Sequence, residues 1–244
     1  MIFLFTDFGA TGPYIGQMEA VLRRAAPEVP VINLFANVPA FDVQGAAYLL
    51  AAYTADVVPG DVVLSIVDPG VGTSREAIVM RADDRWFVGP ENGLMAIVAR
   101  CAQRCDLWRI RWRPQQLSAS FHGRDLFAPV AAELGRGVLS AAAERLAAAD
   151  VNSVLRPAWP DDHAAIISFD HYGNAVTGLR ASAVKSGASL KCAGHTITPA
   201  EIFGSVPRGT PFWYVNSSGL VEIAANQASV QQVLGLEQGA LVQV

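Results

Sequence analysis

Lysine is nearly missing from this chain: of 18 basic residues among 244, only Lys185 and Lys191 are lysine and the rest are arginine. That skew alone points to no function. Charge is scarce too, at 16% against about 25% in an average soluble protein, while hydrophobic residues reach 52%. Disorder is thereby excluded, and a surface suited to oligomerisation is expected. The net charge of −4 lacks the basic excess that polyanion binding needs, so nucleic acid is not expected as a partner. Three cysteines, Cys101, Cys105 and Cys192, form no CxxC pair and no even disulfide set, and they read as buried free thiols. No apolar run nears the roughly 18 residues that span a bilayer. Residues 1–5 are apolar but lack a basic flank and meet Asp7 at once, which does not fit a signal peptide. A soluble, cytoplasmic protein with no membrane partner is the expectation.

What is present alternates. Residues 2–5 read as a strand, 14–25 as a helix, 29–37 as a strand, 42–55 as a helix, and 61–67 as a strand buried on both faces. That order predicts an α/β domain with a mainly parallel sheet over 1–150. Within it, 77–81 and 85–88 read as a hairpin, and 91–104, 124–134 and the alanine-rich 139–149 as helices. Residues 151–162, with Pro157 and Pro160, read as a linker. Short strands at 163–169, 189–197, 211–215 and 220–223 then alternate with glycine turns, predicting a smaller antiparallel β-barrel-like or sandwich domain over 163–244.

Ligands of open parallel sheets bind where the loops leave the carboxyl ends of the strands. Asp7 follows the first strand there, and Asp68 follows the buried one, opening the run Asp68, Pro69, Gly70, Val71, Gly72, Thr73, Ser74, Arg75. On pattern alone this is either a glycine turn with a surface Asp and Arg or half of a site. His122, in the run Phe121, His122, Gly123, Arg124, Asp125, stands at a helix entrance and reads as a cap, a packing residue or a catalyst. The runs from Asp170 to Asn174 and from Asn216 to Gly219 read as turns between strands. The alternation Trp108, Arg109, Ile110, Arg111, Trp112, Arg113 reads as an exposed strand with arginine packed on tryptophan rather than a nucleic-acid stripe.

In register along the chain, these runs resemble one family, the S-adenosylmethionine (SAM) hydroxide adenosyltransferases or SAM hydrolases, relatives of the fluorinating and chlorinating SAM enzymes. The anchors are Thr6, Asp7, Phe8, Gly9; Asp68 to Gly72 with Arg75; Gly89, Pro90, Glu91, Asn92, Gly93; Phe121 to Asp125; Asp170 to Asn174; and Asn216 to Ala224. The resemblance implies an amino-terminal α/β domain, a carboxy-terminal β-barrel-like domain, and a homotrimer with active sites between subunits. It implies catalytic roles for Asp68, Arg75 and His122. It places Asp7 on the ribose hydroxyls, Tyr172 on the adenine face, Asn174 on the adenine edge, Asp170 on the methionine ammonium and Ser217 on the carboxylate. It implies SAM as the substrate, with no further cofactor and no metal expected. The chain departs from the halogenating relatives at Ser218, where they carry arginine, and at Arg75, His122 and Gly123, and it lacks their inserted loop, which favours hydrolysis.

SAM carries a sulfonium leaving group, so the reaction needs help with the nucleophile. Water has a pKa of about 15.7, and a nearby base must take its proton as it attacks C5′. A carboxylate such as Asp68 can fix the tautomer of His122 while Arg75 holds an anionic oxygen; alternatively Arg75 and Asp68 stabilise hydroxide and His122 relays protons. Other readings are a SAM-dependent 5′-halogenase, a SAM- or adenosine-binding protein without catalysis, and a metal hydrolase using Asp7, Asp68, His122 and Asp125.

Overall fold

The five residues Val62–Ile66 (β3) are buried end to end, the signature of a strand covered on both faces. In the computed structural model, which describes residues 1–138 and 145–244, this strand lies inside a seven-stranded sheet. The chain divides into two units, Met1–Arg156 and Pro157–Val244, each with its own apolar core.

In the first unit β1 (Ile2–Thr6), β2 (Val31–Phe35), β4 (Ala77–Ala82), β5 (Arg85–Pro90), β6 (Cys105–Ile110) and β7 (Leu146–Ala149) join β3 in the order β2-β1-β3-β5-β4-β6-β7. The ladders from β2 through β1 and β3 to β5 are parallel, and those from β5 through β4 and β6 to β7 are antiparallel. The expected hairpin is present as β4 and β5. Helices α1 (Tyr14–Ala25) and α4 (Ala128–Gly135) pack together over the face bearing Ile2, Leu4, Val62, Leu64 and Ile66. Helices α2 (Val43–Tyr53) and α3 (Ala96–Cys101) form a second pair.

Three expectations are corrected. The alanine-rich helix over 139–149 is absent where the structure describes it: Leu146–Ala149 is strand β7, because β6 offers an open edge whose hydrogen bonds outweigh the weak helix preference of three alanines; residues 139–144 lie outside the described residues. Only Trp108, Arg109 and Ile110 of the tryptophan–arginine run lie in a strand, β6, which is internal between β4 and β7, and the described cations over tryptophan rings are Arg81 on Trp86 and Arg145 on Trp112. Of the cysteines only Cys192 is buried; Cys101 is exposed and Cys105 half-buried, all three free.

The second unit holds a four-stranded antiparallel sheet, in the order β12 (Pro211–Val215), β13 (Leu220–Ala225), β9 (Ala175–Arg180), β8 (His163–Phe169). A three-stranded sheet follows the order β11 (His195–Ile197), β10 (Leu190–Cys192), β14 (Val242–Gln243). Single bridges, Pro199 to Trp213 and Ala165 to Leu241, link the two sheets at either side. The connectivity is barrel-like, with no closed ladder among the described residues. A short helix, α5 (Val230–Leu234), begins at Ser229, whose hydroxyl accepts from the N–H of Gln232. No described helix is long and apolar enough to cross a membrane.

Candidate active site

Parallel pairing of β1 with β3 sets Thr6 beside Ile66, so the segments leaving both strands emerge together at the carboxyl edge of the sheet. Asp7 comes from one and Asp68 from the other. The Asp7 carboxylate accepts from the N–H of Phe41 at 3.3 Å. Burial pushes its pKa up, and the negative charge of Asp68 acts in the same direction.

Beyond Asp68 the chain turns twice. The N–H of Val71 bonds to the carbonyl of Asp68 at 3.2 Å, and both the N–H and the hydroxyl of Thr73 bond to the carbonyl of Gly70, at 3.2 and 2.7 Å. This returns Arg75 onto Asp68. The guanidinium forks onto the carboxylate, Nε to Oδ1 at 3.0 Å and Nη2 to Oδ2 at 2.5 Å, while Nη1 donates to the carbonyl of Glu76 at 2.8 Å. Both side chains are buried, 8% and 5% exposed, and the guanidinium lies over Phe127 at 5.3 Å. Gly72 makes the turn possible: its φ is +80°, and a Cβ there would stand 2.4 Å from the carbonyl oxygen of Ala119. That close approach brings the 118–121 loop beside the turn.

The same loop delivers His122. The ring caps no helix end; it precedes a π-helical turn, Gly123–Phe127, that runs into α4, and its Nδ1 lies 3.4 Å from Nη2 of Arg75. A guanidinium only donates, so Nδ1 accepts and the imidazole is neutral with its proton on Nε2, a tautomer inferred from the partner. Burial is the larger cause holding its pKa below the usual histidine value and the charge of Arg75 the next; Arg113 adds to this, while Asp68 and Asp125 oppose it. The described hydrogen bonds therefore run from Asp68 to Arg75 to His122. Arginine rather than the carboxylate sets the imidazole, which corrects the expectation that Asp68 fixes its tautomer. Asp125 fastens the loop: it accepts from the N–H of Ser118 at 2.9 Å and pairs with Arg124 at 2.6 Å.

Asp7, Asp68 and His122 line one cavity of about 630 Å³, within the range of small-molecule sites. Its wall includes Phe8, Tyr14 and Phe121, packed edge-on or tilted with ring centres 5.3–5.8 Å apart. Arg75 is not itself a lining residue but touches two that are, Asp68 and His122. Among the described residues no three His, Cys, Asp or Glu side chains converge as metal ligands.

In the second unit, Asp170 follows β8 and organises the turn: its carboxylate accepts from the N–H groups of Tyr172 and Asn174 and from Nδ2 of Asn174, at 2.8–2.9 Å. Gly173, at φ +80°, lies so close to Ser229 that a Cβ would meet its hydroxyl oxygen at 2.1 Å. Tyr172, 75% exposed, and the buried Asn174 line a cavity of about 680 Å³ with Phe203 and Asn226. Ser217 lies on the turn from β12 to β13, and neither of these two cavities includes it among its lining residues. That turn is held by Asn216, whose Oδ1 accepts from the N–H groups of Ser218 and Leu220 and whose Nδ2 donates to the buried Glu222 at 2.9 Å. Sequence reasoning overlooked Phe41, Tyr14, Phe203 and Asn226 as lining residues. Phe41 carries a positive φ of 67° and is 75% exposed, and the only sign of its turn was the nearby Pro39.

An open α/β sheet with a carboxylate, guanidinium and imidazole chain at its strand ends, above a cavity of small-molecule size, defines an enzyme of the α/β class. The more particular assignment comes from comparison. The chain belongs to the SAM hydroxide adenosyltransferase family: the profile of that family's N-terminal domain matches residues 2–144 and that of its C-terminal domain residues 164–243. It is 35% identical to the (R)-S-adenosyl-L-methionine hydrolase of Thermus thermophilus, over 100% of this chain and 98% of that one. It is 34% identical to the enzyme of the same name from Salinispora arenicola, over 98% and 95%. A fluorinase of Nocardia brasiliensis is more distant, at 22%. A crystal structure of an uncharacterized conserved protein from Thermotoga maritima superposes with a TM-score of 0.85 at 31% identity, covering 99% of this chain and 98% of that one.

Proposed function

We propose that this chain hydrolyses S-adenosyl-L-methionine to adenosine and L-methionine. Water oxygen bonds to C5′, the bond from C5′ to sulfur breaks with its electron pair going to sulfur, and the water's proton passes to the protein and then to solvent. Discharging the sulfonium cation gives a neutral thioether, so no acid need assist the leaving group. The observation that carries the reading is the buried Arg75 fork, which joins Asp68 to His122 beside one cavity. With Nδ1 of His122 facing Arg75, Nε2–H is the ring's donor and holds the attacking oxygen. Asp68 then accepts the proton: Arg75 and the N–H of Gly70 occupy three of its roughly four acceptor positions, and burial raises its pKa above that of an ordinary aspartate despite the opposing pull of Arg75.

Asp7 takes the ribose hydroxyls, Tyr172 and Asn174 the adenine, and Asp170 and Ser217 the amino acid end. The amino-terminal half-site of one subunit meets the carboxy-terminal half-site of its neighbour in a cytoplasmic homotrimer that uses no added cofactor. Full-length identity of 33–35% to named hydrolases, against 19–22% to fluorinases, supports hydrolysis over halide transfer. The test is product analysis in ¹⁸O-labelled water with chloride and fluoride present. Labelled adenosine is expected; 5′-halogenated adenosine, or intact SAM, would overturn the reading.

A further inference from the structure

The run Gly89, Pro90, Glu91, Asn92, Gly93 carries no reacting group, yet it touches the supports of both halves of the buried ion pair. Nδ2 of Asn92 donates to the carbonyl of Val67 at 2.8 Å, and Oδ1 of the same side chain accepts from the N–H of Leu94 at 3.1 Å. Val67 is bonded directly to Asp68. One residue earlier, the N–H of Glu91 donates to the carbonyl of Glu76 at 2.9 Å, the same oxygen that receives Nη1 of Arg75 at 2.8 Å. The carboxylate of Glu91 is itself held by Arg156 at 3.1 Å. Residues 67 and 76 flank the whole 68–75 turn, and this one loop grips both.

We infer that Asn92 is a positioning residue for the reaction proposed above: its amide, with the N–H of Glu91, sets the distance between the two ends of the turn that carries Asp68 and Arg75. The inference rests on that reading for its kinetic consequence alone, because the brace itself is a matter of hydrogen bonds. Asparagine is required because one side chain must donate to a carbonyl and accept from an N–H. Aspartate has the same shape but turns an oxygen toward the Val67 carbonyl, replacing attraction with repulsion. Misplacing a reacting group by about 1 Å costs on the order of 100-fold in rate.

The test compares Asn92→Asp and Asn92→Ala with the wild-type full chain. The expected result is a kcat lower by about 10- to 100-fold, with KM and the calorimetric Kd for SAM changed less than about threefold. In parallel, the histidine titration followed by NMR shows the midpoint of His122 moving up, as Arg75 loosens from Nδ1. Wild-type kcat, or a change confined to KM, overturns the inference, as does an unmoved His122 midpoint. If Asn92→Asp does not fold, Asn92→Ala decides, since it removes the brace without adding charge. The titration needs no substrate, so a wild-type chain that leaves SAM intact refutes the hydrolase reading, while an unmoved midpoint refutes the brace.

Discussion

Replacing Arg75 by methionine removes the charge and every donor of the fork while keeping much of its length. It strands the Asp68 carboxylate, whose side chain is 5% exposed, and takes away both contacts to it, at 3.0 and 2.5 Å. Breaking a buried pair from one side costs about 3–5 kcal/mol, because the remaining ion keeps its desolvation penalty. Here the N–H of Gly70 still reaches the carboxylate and the cavity admits water, so the loss expected is about 3 kcal/mol. With a urea slope of about 2 kcal/mol per M, the midpoint of unfolding moves down by about 1.5 M. Asp68→Asn combined with Arg75→Met leaves no stranded charge, so the double variant is expected to lose at least about 1.5 kcal/mol less than the sum of the singles. The pH dependence has a definite sign. An unpaired buried carboxylate has a folded-state pKa above its unfolded value of about 3.9, so the folded variant binds more protons, and its stability rises as pH falls from 7 through that pKa. The gap to wild type therefore narrows in acid. A single-variant loss under about 1 kcal/mol, or additive effects in the double, would refute the view that the two groups form one buried unit.

The mechanism proposed above needs His122 neutral and Asp68 ionised. Burial and Arg75 lower the first group's pKa, and burial raises the second's, so the acid limb of the kcat profile is expected below the ordinary histidine value of about 6.5, with no loss between pH 7 and 9. A limb centred above pH 6.5 contradicts the assignment. Gly72→Ala places a Cβ 2.4 Å from the Ala119 carbonyl at a φ of +80°, so a loss of about 2 kcal/mol in thermal unfolding and at least about tenfold in adenosine release is expected. Wild-type behaviour in both assays would show that the 118–121 loop does not depend on that approach.

Where burial and periodicity agreed, the fold was legible. Strand β3, apolar at four of five positions, and the helices with apolar residues spaced three or four apart fell where their patterns put them. Where a neighbour decided, local pattern failed. Ala147, Ala148 and Ala149 prefer helix in isolation, and they are strand because Arg109, Trp108 and Leu107 present free backbone groups on one edge of β6. The stretch 189–197 reads as one strand, yet it is the hairpin of β10 and β11, with Ala193 and Gly194 at positive φ. Strand β9 was overlooked because Gly178, pressed against His163, interrupts its apolar run.

The site was legible as a set of residue types and opaque as an arrangement. Glycine and proline after a buried strand mark where a ligand loop begins, and a histidine at a helix entrance marks one end of a loop, but no local rule ranks which of Asp68, Arg75 and His122 touches which. That order follows from contacts between residues 47 positions apart in the chain, and it reverses a chemical expectation. A carboxylate beside an imidazole raises its basicity and favours the charged ring, whereas a guanidinium beside it, with burial, favours the neutral one. In the proposed mechanism the base is therefore Asp68, on the far side of Arg75, and the imidazole is the group that holds the nucleophile. Nitrogen shifts of His122 across pH 5 to 8 decide between the two arrangements: a proton resident on Nε2 with Nδ1 unprotonated supports the second, and a proton on Nδ1 near neutrality would return the role of base to histidine.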